Sequence, residues 1–341
     1  MSGAMGAAPM PPLDVASVLQ RIAGLRVLVV GDICLDRWCI YDPALSEPSR
    51  ETGIPRIAVK SYEATPGAGG TVSNNLIAMG VSTVSVLGVQ GDDGAAYELR
   101  RALAHRNING SHMVTDPHTQ TFTYTKYLNV ATGEEDLPRT DFINAKPWSA
   151  GVEAEVIEQL KIAAVDADVI LVSDQAETQE GGVVTGGVRD AIAAIAVESP
   201  QKTIWVDSRV RAEHFREVVV KTNEEEAQAA FARLAGVANT EDLRRYTKAP
   251  LFLITHGGDG VEIVAEGQAW HVPTQKVANP VDICGAGDSF SAGAAMALAS
   301  IGDPVLAARF GNIVASVTIM KKGTGTASPE EIIHAAERMT K

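Results

Sequence analysis

The stretch of the sequence best suited to catalysis is a glycine-rich turn followed by an aspartate, Asp-Ile-Cys-Gly-Ala-Gly-Asp over residues 282–288. Glycines let the backbone bend so that several N–H groups point at one spot. The small apolar residues that follow predict a helix whose N-terminus adds partial positive charge. Gly285, Ala286 and Gly287 are therefore candidates for an anion hole that holds a phosphate. Asp288 lies at its edge, where it could accept a proton from an attacking hydroxyl; the alternative is a plain turn with Asp288 as the helix N-cap.

Two groups of residues could bind a polyol. Asp36 follows the apolar strand that starts at Leu25, in a predicted loop, and could accept hydrogen bonds from vicinal hydroxyls. The alternative for Asp36 is a turn-forming residue. Gly69, Gly70 and Asn74 form a GGxxxN pattern, in which the glycines admit a ligand close to the backbone and the asparagine offers both a donor and an acceptor. The alternative is an ordinary strand–helix loop with a helix cap.

Two later segments could bind a nucleotide and its metal. Asn223 and Glu226 follow a short strand, and residues three apart on a first helical turn face the same way. They could hold Mg²⁺ through its waters; the alternative is an acidic helix start that complements the helix dipole. The turn Thr-His-Gly-Gly-Asp-Gly over 255–260 could wrap a nucleotide phosphate or ribose. The alternative for this segment is a hairpin turn, because residues 261–264, which follow it directly, have the pattern of a second strand.

The elements that must position these residues alternate between strand and helix along most of the chain. This alternation predicts an α/β fold with a doubly wound, mostly parallel sheet, which binds ligands at the carboxyl ends of its strands. Two long segments interrupt the alternation, about 38–66 and 118–145. The first is too long for a simple connection, and the second alternates β-branched or aromatic residues with polar ones. We expect these lid segments to pair into a small sheet over one edge of the main domain.

Composition narrows the classes of partner. The 341 residues carry a net charge of −13, which repels nucleic acid and anionic membrane surfaces. The sequence lacks an apolar run of the roughly 18 residues that a transmembrane helix needs. Its three cysteines form no CxxC pair, which indicates a reducing cytoplasm and no structural zinc. Residues 1–13 contain small residues and prolines without a basic region, so we interpret them as a disordered leader and not a signal peptide.

Taken in their order along the chain, the motifs resemble those of the ribokinase-like PfkB family of carbohydrate kinases. GGTVSN from Gly69 is similar to the family's first signature, and DICGAGDSF from Asp282 is similar to its second, usually written DTxGAGDxF. The resemblance implies a ribokinase-like kinase domain over 14–341 and transfer of the γ-phosphate of ATP to a sugar hydroxyl. An intact GAGD argues against a non-catalytic nucleotide- or sugar-binding regulator. The absence of GxGxxG argues against a dinucleotide-dependent oxidoreductase.

The resemblance also implies a role for each candidate. It places the γ-phosphate over Gly285, Ala286 and Gly287, with Asp288 as the base. The implied substrate-binding residues are Asp36, Glu51, Gly69, Gly70, Asn74 and Arg139. The implied nucleotide-binding residues are Asn223, Thr255, Gly257, Gly260 and Asn312. Mg²⁺ is implied at Asn223 and Glu226 through water, and a monovalent cation such as K⁺ near Asp282. Because lid strands in this family often pair between subunits, we also expect a homodimer.

Within the family, the sequence most resembles the D-glycero-D-manno-heptose 7-phosphate kinases of ADP-heptose synthesis. Shared features include Ser-x-Glu ahead of a proline in the first lid segment, at Ser49 and Glu51, and Arg-x-Asp-Phe from Arg139. This likeness implies the C1 hydroxyl of heptose 7-phosphate as the acceptor, with ribose, fructose or a nucleoside as alternatives. The sequence ends without a nucleotidyltransferase domain, so we expect kinase activity alone.

The sequence departs from those heptose kinases at two places. Cys284 stands where a threonine or serine is usual. After the strand that ends at Asp174, those kinases show Asp-Tyr-Gly-Lys-Gly, whereas this chain continues with Gln175, Ala176 and Glu177. Losing a lysine and gaining a glutamate there disfavours a phosphate on the acceptor sugar.

Overall fold

The architecture is that of a computed structural model, which describes residues 12–339 except Glu177 and Gln179. Most of the predicted leader, 1–11, and the departure at Glu177 therefore lie outside the described residues. The strands are β1 (Arg26–Gly31), β2 (Ile33–Tyr41), β3 (Val59–Ala68), β4 (Thr83–Leu87), β5 (Val89–Gln90), β6 (Val114–Thr115), β7 (Thr123–Asn129), β8 (Thr140–Phe142), β9 (Val169–Asp174), β10 (Thr203–Ser208), β11 (Val219–Asn223), β12 (Leu251–Thr255), β13 (Val261–Ala265) and β14 (Gln268–Val272). The helices are α1 (Val15–Ile22), α2 (Gly69–Ala78), α3 (Gly94–His105), α4 (Ala150–Asp166), α5 (Gly186–Glu198), α6 (Glu224–Arg233), α7 (Thr240–Thr247), α8 (Ala286–Ile301), α9 (Pro304–Thr318) and α10 (Pro329–Met339).

The main sheet has eight strands in the part of the chain that the structure describes, in the order β14-β13-β12-β11-β10-β9-β1-β4. In this order, each strand from β12 across to β4 pairs in parallel with its neighbour. Strand β13 pairs antiparallel with both β12 and β14. Strand β9 is buried along its whole length and β1 is buried after its first residue, because helices cover both faces of the sheet. The predicted α/β fold with a doubly wound, mostly parallel sheet is therefore confirmed.

The order of the sheet reverses between β1 and β9. The chain leaves β1 for β4 on one side and later enters β9 on the other, so the carboxyl ends of β1 and β9 border the crevice where such sheets bind ligands. Asp32, just past β1, fixes the loop that follows β9. Its carboxylate accepts hydrogen bonds from the backbone N–H groups of Gln175 and Ala176, both at 2.8 Å, and of Val183 at 2.9 Å.

The two lid segments form a separate four-stranded sheet with the order β3-β2-β7-β8. Strands β2 and β7 come from different segments and pair in parallel, which confirms that the segments form one small sheet. Because β2 starts at Ile33, directly after Asp32, the sheet extends beyond the expected limits of 38–66. Asp36 consequently lies within a strand, and the prediction that it lies in a loop was wrong.

The described residues carry few other features that constrain function. No described helix combines the length and the apolar character needed to span a bilayer. Cys34, Cys39 and Cys284 are all free thiols, and Cys284 is exposed. Over 12–339 without 177 and 179, no cluster of three or more His, Cys, Asp or Glu side chains is arranged to hold a metal ion.

Candidate active site

Two cavities meet at the N-terminus of α8. The lid cavity, about 280 Å³, lies between the lid sheet and the main sheet, and Gly285 and Asp288 line it. The turn cavity, about 600 Å³, lies on the other side, and Ala286 and Gly287 line it. The first turn of α8 is therefore the wall between them. The predicted site residues divide accordingly: Asp36 and Arg139 line the lid cavity, and Asn223, Thr255, Gly257, Gly260 and Asn312 line the turn cavity.

The backbone at the start of α8 leaves N–H groups unpaired. Gly285 caps the helix with φ +77°, a left-handed conformation that favours glycine. The N–H of Ala286 already donates to the carbonyl of Ile283 at 3.1 Å, so this amide is not available to a ligand in the described geometry. The N–H groups of Gly287 and Asp288 have no acceptor among the described residues. Asp288 lies on the first helical turn and Gly285 is the N-cap, so the alternative that Asp288 serves as a cap is wrong.

Asp282 ties this turn to the segment before α10. Its carboxylate accepts hydrogen bonds from the backbone N–H of Cys284 at 2.9 Å and of Gly323 at 3.0 Å, one on each oxygen. Asp282 therefore helps to hold the shape of the glycine turn. A monovalent cation near this residue stays a prediction.

The carboxyl group of Asp288 is surrounded by charge. Burial and the nearby carboxylate of Asp207 raise its pKa to about 7, although the cations of Lys221 and Arg209 oppose the shift. A carboxyl group with a pKa near neutrality is well matched to accepting a proton at physiological pH.

Asp36 projects into the lid cavity from β2. Burial raises the pKa of its carboxyl group to about 6, and the cations of Lys126 and Arg139 partly offset this. A side chain on Gly67, which lies on the neighbouring strand β3 and pairs with Cys34, would overlap the Asp36 carboxylate, so this glycine makes room for it. Lys126, Arg139 and Arg209 all line the lid cavity and give it a cationic side.

The structure does not bring four predicted substrate residues into the lid cavity. Glu51 lies in an exposed turn and accepts a hydrogen bond from the hydroxyl of Ser49 at 2.8 Å. Gly69 and Gly70 are buried at the start of α2, where a Cβ on Gly69 would lie 2.7 Å from the side chain of Ile33. These glycines let α2 pack closely against the strands, and that requirement accounts for them without a ligand.

The fourth residue, Asn74, lies on α2. Its side-chain amide donates to the carbonyl of Pro66 at 3.1 Å, and it lines a separate cavity behind Trp38. A role for Asn74 and the other three residues in substrate binding stays a prediction.

Asn223 and Glu226 form a reciprocal cap at the start of α6. The Asn223 side chain accepts from the N–H of Glu226 at 2.8 Å, and Glu226 Oε2 accepts from the N–H of Asn223 at 2.7 Å. Asn223 and Glu226 thus form the acidic helix start that was the alternative interpretation of their sequence. Glu226 Oε1 makes no hydrogen bond within the described part of the chain. Asn223 lines the turn cavity, whereas Glu226 does not. Mg²⁺ keeps several waters and needs few protein ligands, so its binding through water at this pair stays a prediction.

The turn over 255–260 is a hairpin turn, since β12 and β13 pair antiparallel on either side of it. The hairpin interpretation is therefore confirmed, and because the glycines of the turn also line the turn cavity, nucleotide binding there stays a prediction. Across the cavity, the side-chain nitrogen of Asn312 is buried and has no hydrogen-bond partner among the described residues. An unpaired buried donor is costly, and the residue that carries it lines the turn cavity, where a ligand could supply the acceptor.

Sequence reasoning missed several residues of the site. Lys221 is buried in the middle of β11, 2.8 Å from Asp207 on β10. A lysine directly after a run of three valines was a usable signal, because lysine is almost never buried unless it is paired. No comparable signal identified Arg209, Lys126 or Tyr124, which line the lid cavity only because of the register of the strands.

The fold is ribokinase-like, and the comparisons define the class of protein as a carbohydrate kinase. The model of the pfkB family of carbohydrate kinases matches residues 26–331. The chain therefore belongs to the PfkB family, and it is a phosphotransferase with an alcohol group as acceptor.

The chain is similar to proteins curated as bifunctional protein HldE. It is 32% identical to the one from Bradyrhizobium diazoefficiens over 95% of this chain and 65% of that protein. It is 30% identical to the one from Caulobacter vibrioides over 94% of this chain and 65% of that protein. The chain thus spans just under two thirds of the length of these relatives.

Among solved structures, the fold is similar to two kinases. Ribokinase from Arabidopsis thaliana complexed with ribose and ATP matches with a TM-score of 0.65 and 15% identity, covering 92% of this chain and 99% of that one. Phosphofructokinase-2 from Escherichia coli in complex with potassium matches with a TM-score of 0.69 and 18% identity, covering 93% of this chain and 100% of that one.

Proposed function

We propose that this kinase transfers the γ-phosphate of ATP to a hydroxyl group of a sugar bound in the lid cavity. The observation that carries the proposal is the position of the first turn of α8, which lines both cavities at once. A nucleotide in the turn cavity and a sugar in the lid cavity would meet at the unpaired N–H groups of Gly287 and Asp288. Phosphoryl transfer needs chiefly this alignment together with charge stabilisation.

In the proposed step, Asp288 accepts the proton of the sugar hydroxyl as its oxygen bonds to the γ-phosphorus. The bond between the γ-phosphorus and the bridging oxygen breaks, and its electron pair leaves on ADP. The N–H groups of Gly287 and Asp288 stabilise the negative charge of the transferring group, each by on the order of 3 kcal/mol. Mg²⁺ near Asn223 and Glu226 would supply charge neutralisation on the phosphates. Asn312 and the turn over 255–260 would hold the nucleotide.

Although the change after Asp174 disfavours a phosphate on the sugar, we further propose that the sugar carries an anionic group, with heptose 7-phosphate as the first candidate and its C1 hydroxyl as the acceptor. Lys126, Arg139 and Arg209 line the lid cavity and favour an anion there. Carboxylates already lie beside two of these cations: Glu135 is 3.5 Å from Lys126, and Asp141 is 2.7 Å from Arg139. A bound phosphate would compete with these carboxylates for cations whose positions the carboxylates already fix. The resemblance to heptose 7-phosphate kinases supports the same substrate.

The test is ADP release by the purified protein with ATP and Mg²⁺ across neutral sugars, sugar acids and sugar phosphates, with mass spectrometry to detect the product. We expect turnover with a sugar phosphate, and Asp288→Asn should bind ATP but lose at least ~1000-fold in kcat. Equal turnover by Asp288→Asn and wild type would refute the role of the base. Turnover with neutral sugars alone would refute the anionic acceptor and leave the kinase intact.

Arg139→Gln provides a sharper test of the anionic acceptor. It should raise KM for heptose 7-phosphate by at least ~10-fold, because a charge-assisted contact is lost. KM for the same heptose without its phosphate should change little. Equal effects on the two sugars would show that Arg139 does not recognise the phosphate.

We also propose a homodimer that forms through the lid sheet and resides in the cytoplasm. Tyr62 and Val59 on β3 and Phe142 on β8 are exposed at 54%, 43% and 45%, on the two edge strands of that sheet. Exposed apolar residues on open strand edges favour pairing with a second copy. Light scattering should show a dimer for the wild type and a monomer for Tyr62→Glu. A monomeric wild type would contradict the proposal.

A further inference from the structure

Arg211 lies three residues past the end of β10, and its side chain is only 11% exposed beside Asp174, the last residue of β9. Its Nε donates to both carboxylate oxygens of Asp174, at 3.2 and 3.1 Å, and its Nη2 donates to Oδ1 at 2.7 Å. Asp174 is completely buried, and its Oδ2 also accepts from the hydroxyl of Ser208 at 2.6 Å. The carboxylate therefore fixes the orientation of the guanidinium group.

The guanidinium group also binds the backbone of the segment that follows β9. Its Nη2 donates to the carbonyl of Ala176 at 2.8 Å, and its Nη1 donates to the carbonyl of Thr178 at 2.9 Å. A guanidinium group carries five N–H donors in a rigid fork. Neutralising Asp174 would occupy one side of this fork, whereas Arg211 also uses the other side to hold two carbonyl groups.

Asp32 holds the same segment through its N–H groups. Its Oδ2 accepts from the N–H of Ala176 at 2.8 Å, so the two peptide groups that flank this residue are both fixed, one by Asp32 and one by Arg211. A Cβ built on Gly182 would lie 3.7 Å from Asp32 Oδ1 and 3.2 Å from Arg211 Nη2. An anion and a cation thus clamp the chain on either side of Ala176.

The clamped segment is part of the wall of the lid cavity. Gln175, Ala176 and Thr178 line that cavity, whereas Arg211 does not. The hydroxyl of Thr178 also donates to the carbonyl of Asn144, in the second lid segment, at 3.1 Å. Arg211 therefore bears on the shape of the lid cavity through the backbone of its wall.

We propose that Arg211 is a positioning residue for the sugar, because its guanidinium group fixes the carbonyls of Ala176 and Thr178 and with them one wall of the lid cavity. This inference rests on the proposed function and adds a residue that acts through the wall without touching the sugar. Because the turn cavity lies on the other side of α8, a change at Arg211 should affect the sugar and leave the nucleotide unaffected.

Arg211→Lys separates positioning from simple neutralisation of charge. Lysine keeps a positive charge beside Asp174, which would be strongly destabilising if it were buried alone. A compact ammonium group cannot reproduce the planar fork, so the two carbonyls lose their fixed donors. We expect KM for the sugar to rise by at least ~10-fold, because a small displacement of a positioning group weakens alignment. KM for ATP should stay within about twofold of the wild type, and kcat at saturating sugar within about threefold.

A role limited to neutralising Asp174 makes a different prediction for Arg211→Lys. The variant would lose stability and active enzyme, but both KM values would stay at the wild-type level. That result in steady-state kinetics, with each substrate varied in turn, would overturn the proposal.

Arg233→Lys is the matched control. Arg233 also places a fork on a buried carboxylate, that of Glu213, through its Nε and through its Nη2 at 3.0 Å. Neither Arg233 nor Glu213 lines the lid cavity or the turn cavity. We expect both KM values to be unchanged in this variant. An equal rise in KM for the sugar would mean that any loosened arginine has this effect, and the proposal would then be wrong.

Hydrogen exchange tests the clamp without turnover. The amides of Ala176 and Val183 both donate to Asp32, so their exchange reports on the segment that Arg211 holds from the other side. In Arg211→Lys they should exchange at least ~10-fold faster, while the amides within α8 keep their wild-type rates. Unchanged exchange at Ala176 would contradict the proposal, whatever the kinetics show.

The failure of this inference can be distinguished from the failure of the proposed function. If Asp288→Asn abolishes turnover while Arg211→Lys has the wild-type KM for the sugar, only the inference about Arg211 fails. If Asp288→Asn is itself active, the proposed function fails, and the exchange measurement still decides whether Arg211 holds the segment.

Asp174→Asn/Arg211→Gln replaces Arg211→Lys if the lysine variant does not fold. This double variant removes both charges together and leaves no buried carboxylate without a partner. It should show the same rise in KM for the sugar. If neither variant folds, Arg211 is required by the whole fold and the proposal is overturned.

Gly182→Ala tests the same wall without changing a charge. Its Cβ would lie 2.9 Å from Ala176 Cβ and 3.2 Å from Arg211 Nη2, so the methyl group would press on both. The control is Gly186→Ala, where the Cβ would lie 3.8 Å from the end of the Arg189 side chain; neither glycine has a positive φ. We expect KM for the sugar to rise by at least ~10-fold in Gly182→Ala alone. An unchanged KM would show that sugar binding does not depend on the position of Ala176 and would overturn the proposal.

Discussion

The carboxylate of Asp36 occupies the space that a side chain on Gly67 would need. The two residues lie on adjacent strands of the lid sheet, where Gly67 pairs with Cys34, two residues before Asp36. The glycine thus sets the position of a carboxylate that lines the lid cavity. A residue with no side chain of its own controls where the acidic group can point.

Gly67→Ala should therefore damage sugar binding. The methyl group would displace the Asp36 carboxylate, so we expect KM for the sugar to rise by at least ~10-fold while the affinity for ATP stays the same. The control is Gly94→Ala at the start of α3, where a Cβ would meet nothing within 4 Å and φ is ordinary. Steady-state kinetics with each substrate varied in turn would decide. An unchanged KM for the sugar in Gly67→Ala would show that Asp36 does not contact the sugar.

The rate should depend on pH through Asp288. Its pKa is raised to about 7, and it must be deprotonated to accept a proton. We therefore expect kcat/KM for the sugar to fall about tenfold per pH unit below pH 7 and to level off above it. The pKa of Asp36, about 6, adds a second and lower transition if its charge is also needed. A profile that is flat between pH 6 and pH 8, with folding checked by circular dichroism at each pH, would contradict the assignment of the base.

Because its pKa is raised, Asp288 destabilises the folded protein when its carboxyl group is charged. The folded protein binds this proton more tightly than the unfolded chain, whose carboxyl group titrates near the ordinary value of 3.8. The stabilising contribution is complete below about pH 4 and is lost as the pH rises to about 7. We expect Asp288→Asn to have a higher melting temperature than the wild type at pH 8, with the difference shrinking toward pH 5. A lower melting temperature at pH 8 would mean that the charged carboxylate stabilises the fold.

How much of this site could be predicted from the sequence depends on how far apart along the chain the interacting residues lie. The glycine turn and α8 were predictable because both are encoded locally, by glycines at fixed positions and a run of small apolar residues. The pairing of the lid segments was expected from the length of the first and the alternating pattern of the second. The contacts of Lys221 with Asp207, and of Gly67 with Asp36, were not predictable because they depend on which strands are neighbours and in what register.

Glycine was the residue type most open to misinterpretation. The sequence cannot distinguish a glycine that lets a ligand approach from one that lets a helix approach, and Gly69 proved to be packed against Ile33. The hairpin and nucleotide interpretations of 255–260 were likewise offered as alternatives, although one turn can satisfy both. Local pattern therefore identified the glycine turn at the start of α8 but could not assign every glycine in the chain.

Gly285 and Gly302 cap the two ends of α8 and offer a matched pair of substitutions. Both adopt left-handed conformations, with φ of +77° and +70°, so alanine at either position should cost about 1 kcal/mol of stability. A Cβ on Gly302 would meet nothing within 4 Å, whereas one on Gly285 would lie 3.4 Å from the side chains of Thr71 and Thr324. We expect similar melting temperatures for the two variants but a kcat reduced by at least ~10-fold only in Gly285→Ala. Equal activities would mean that the turn tolerates strain without losing the anion hole.

A substitution at Asn312, whose side-chain donor is unpaired, should change nucleotide binding without changing the rest of the site. Its side-chain nitrogen is buried beside the turn cavity without a partner among the described residues, so replacing it should not lower stability. Asn312→Leu, which is similar in size and removes the unsatisfied donor, should keep or slightly raise the melting temperature. KM for ATP should rise by about tenfold because a nucleotide acceptor would lose its hydrogen bond, while KM for the sugar should stay unchanged. Calorimetric titration with ATP and Mg²⁺ would measure this directly, and an undiminished affinity would place the nucleotide away from α9.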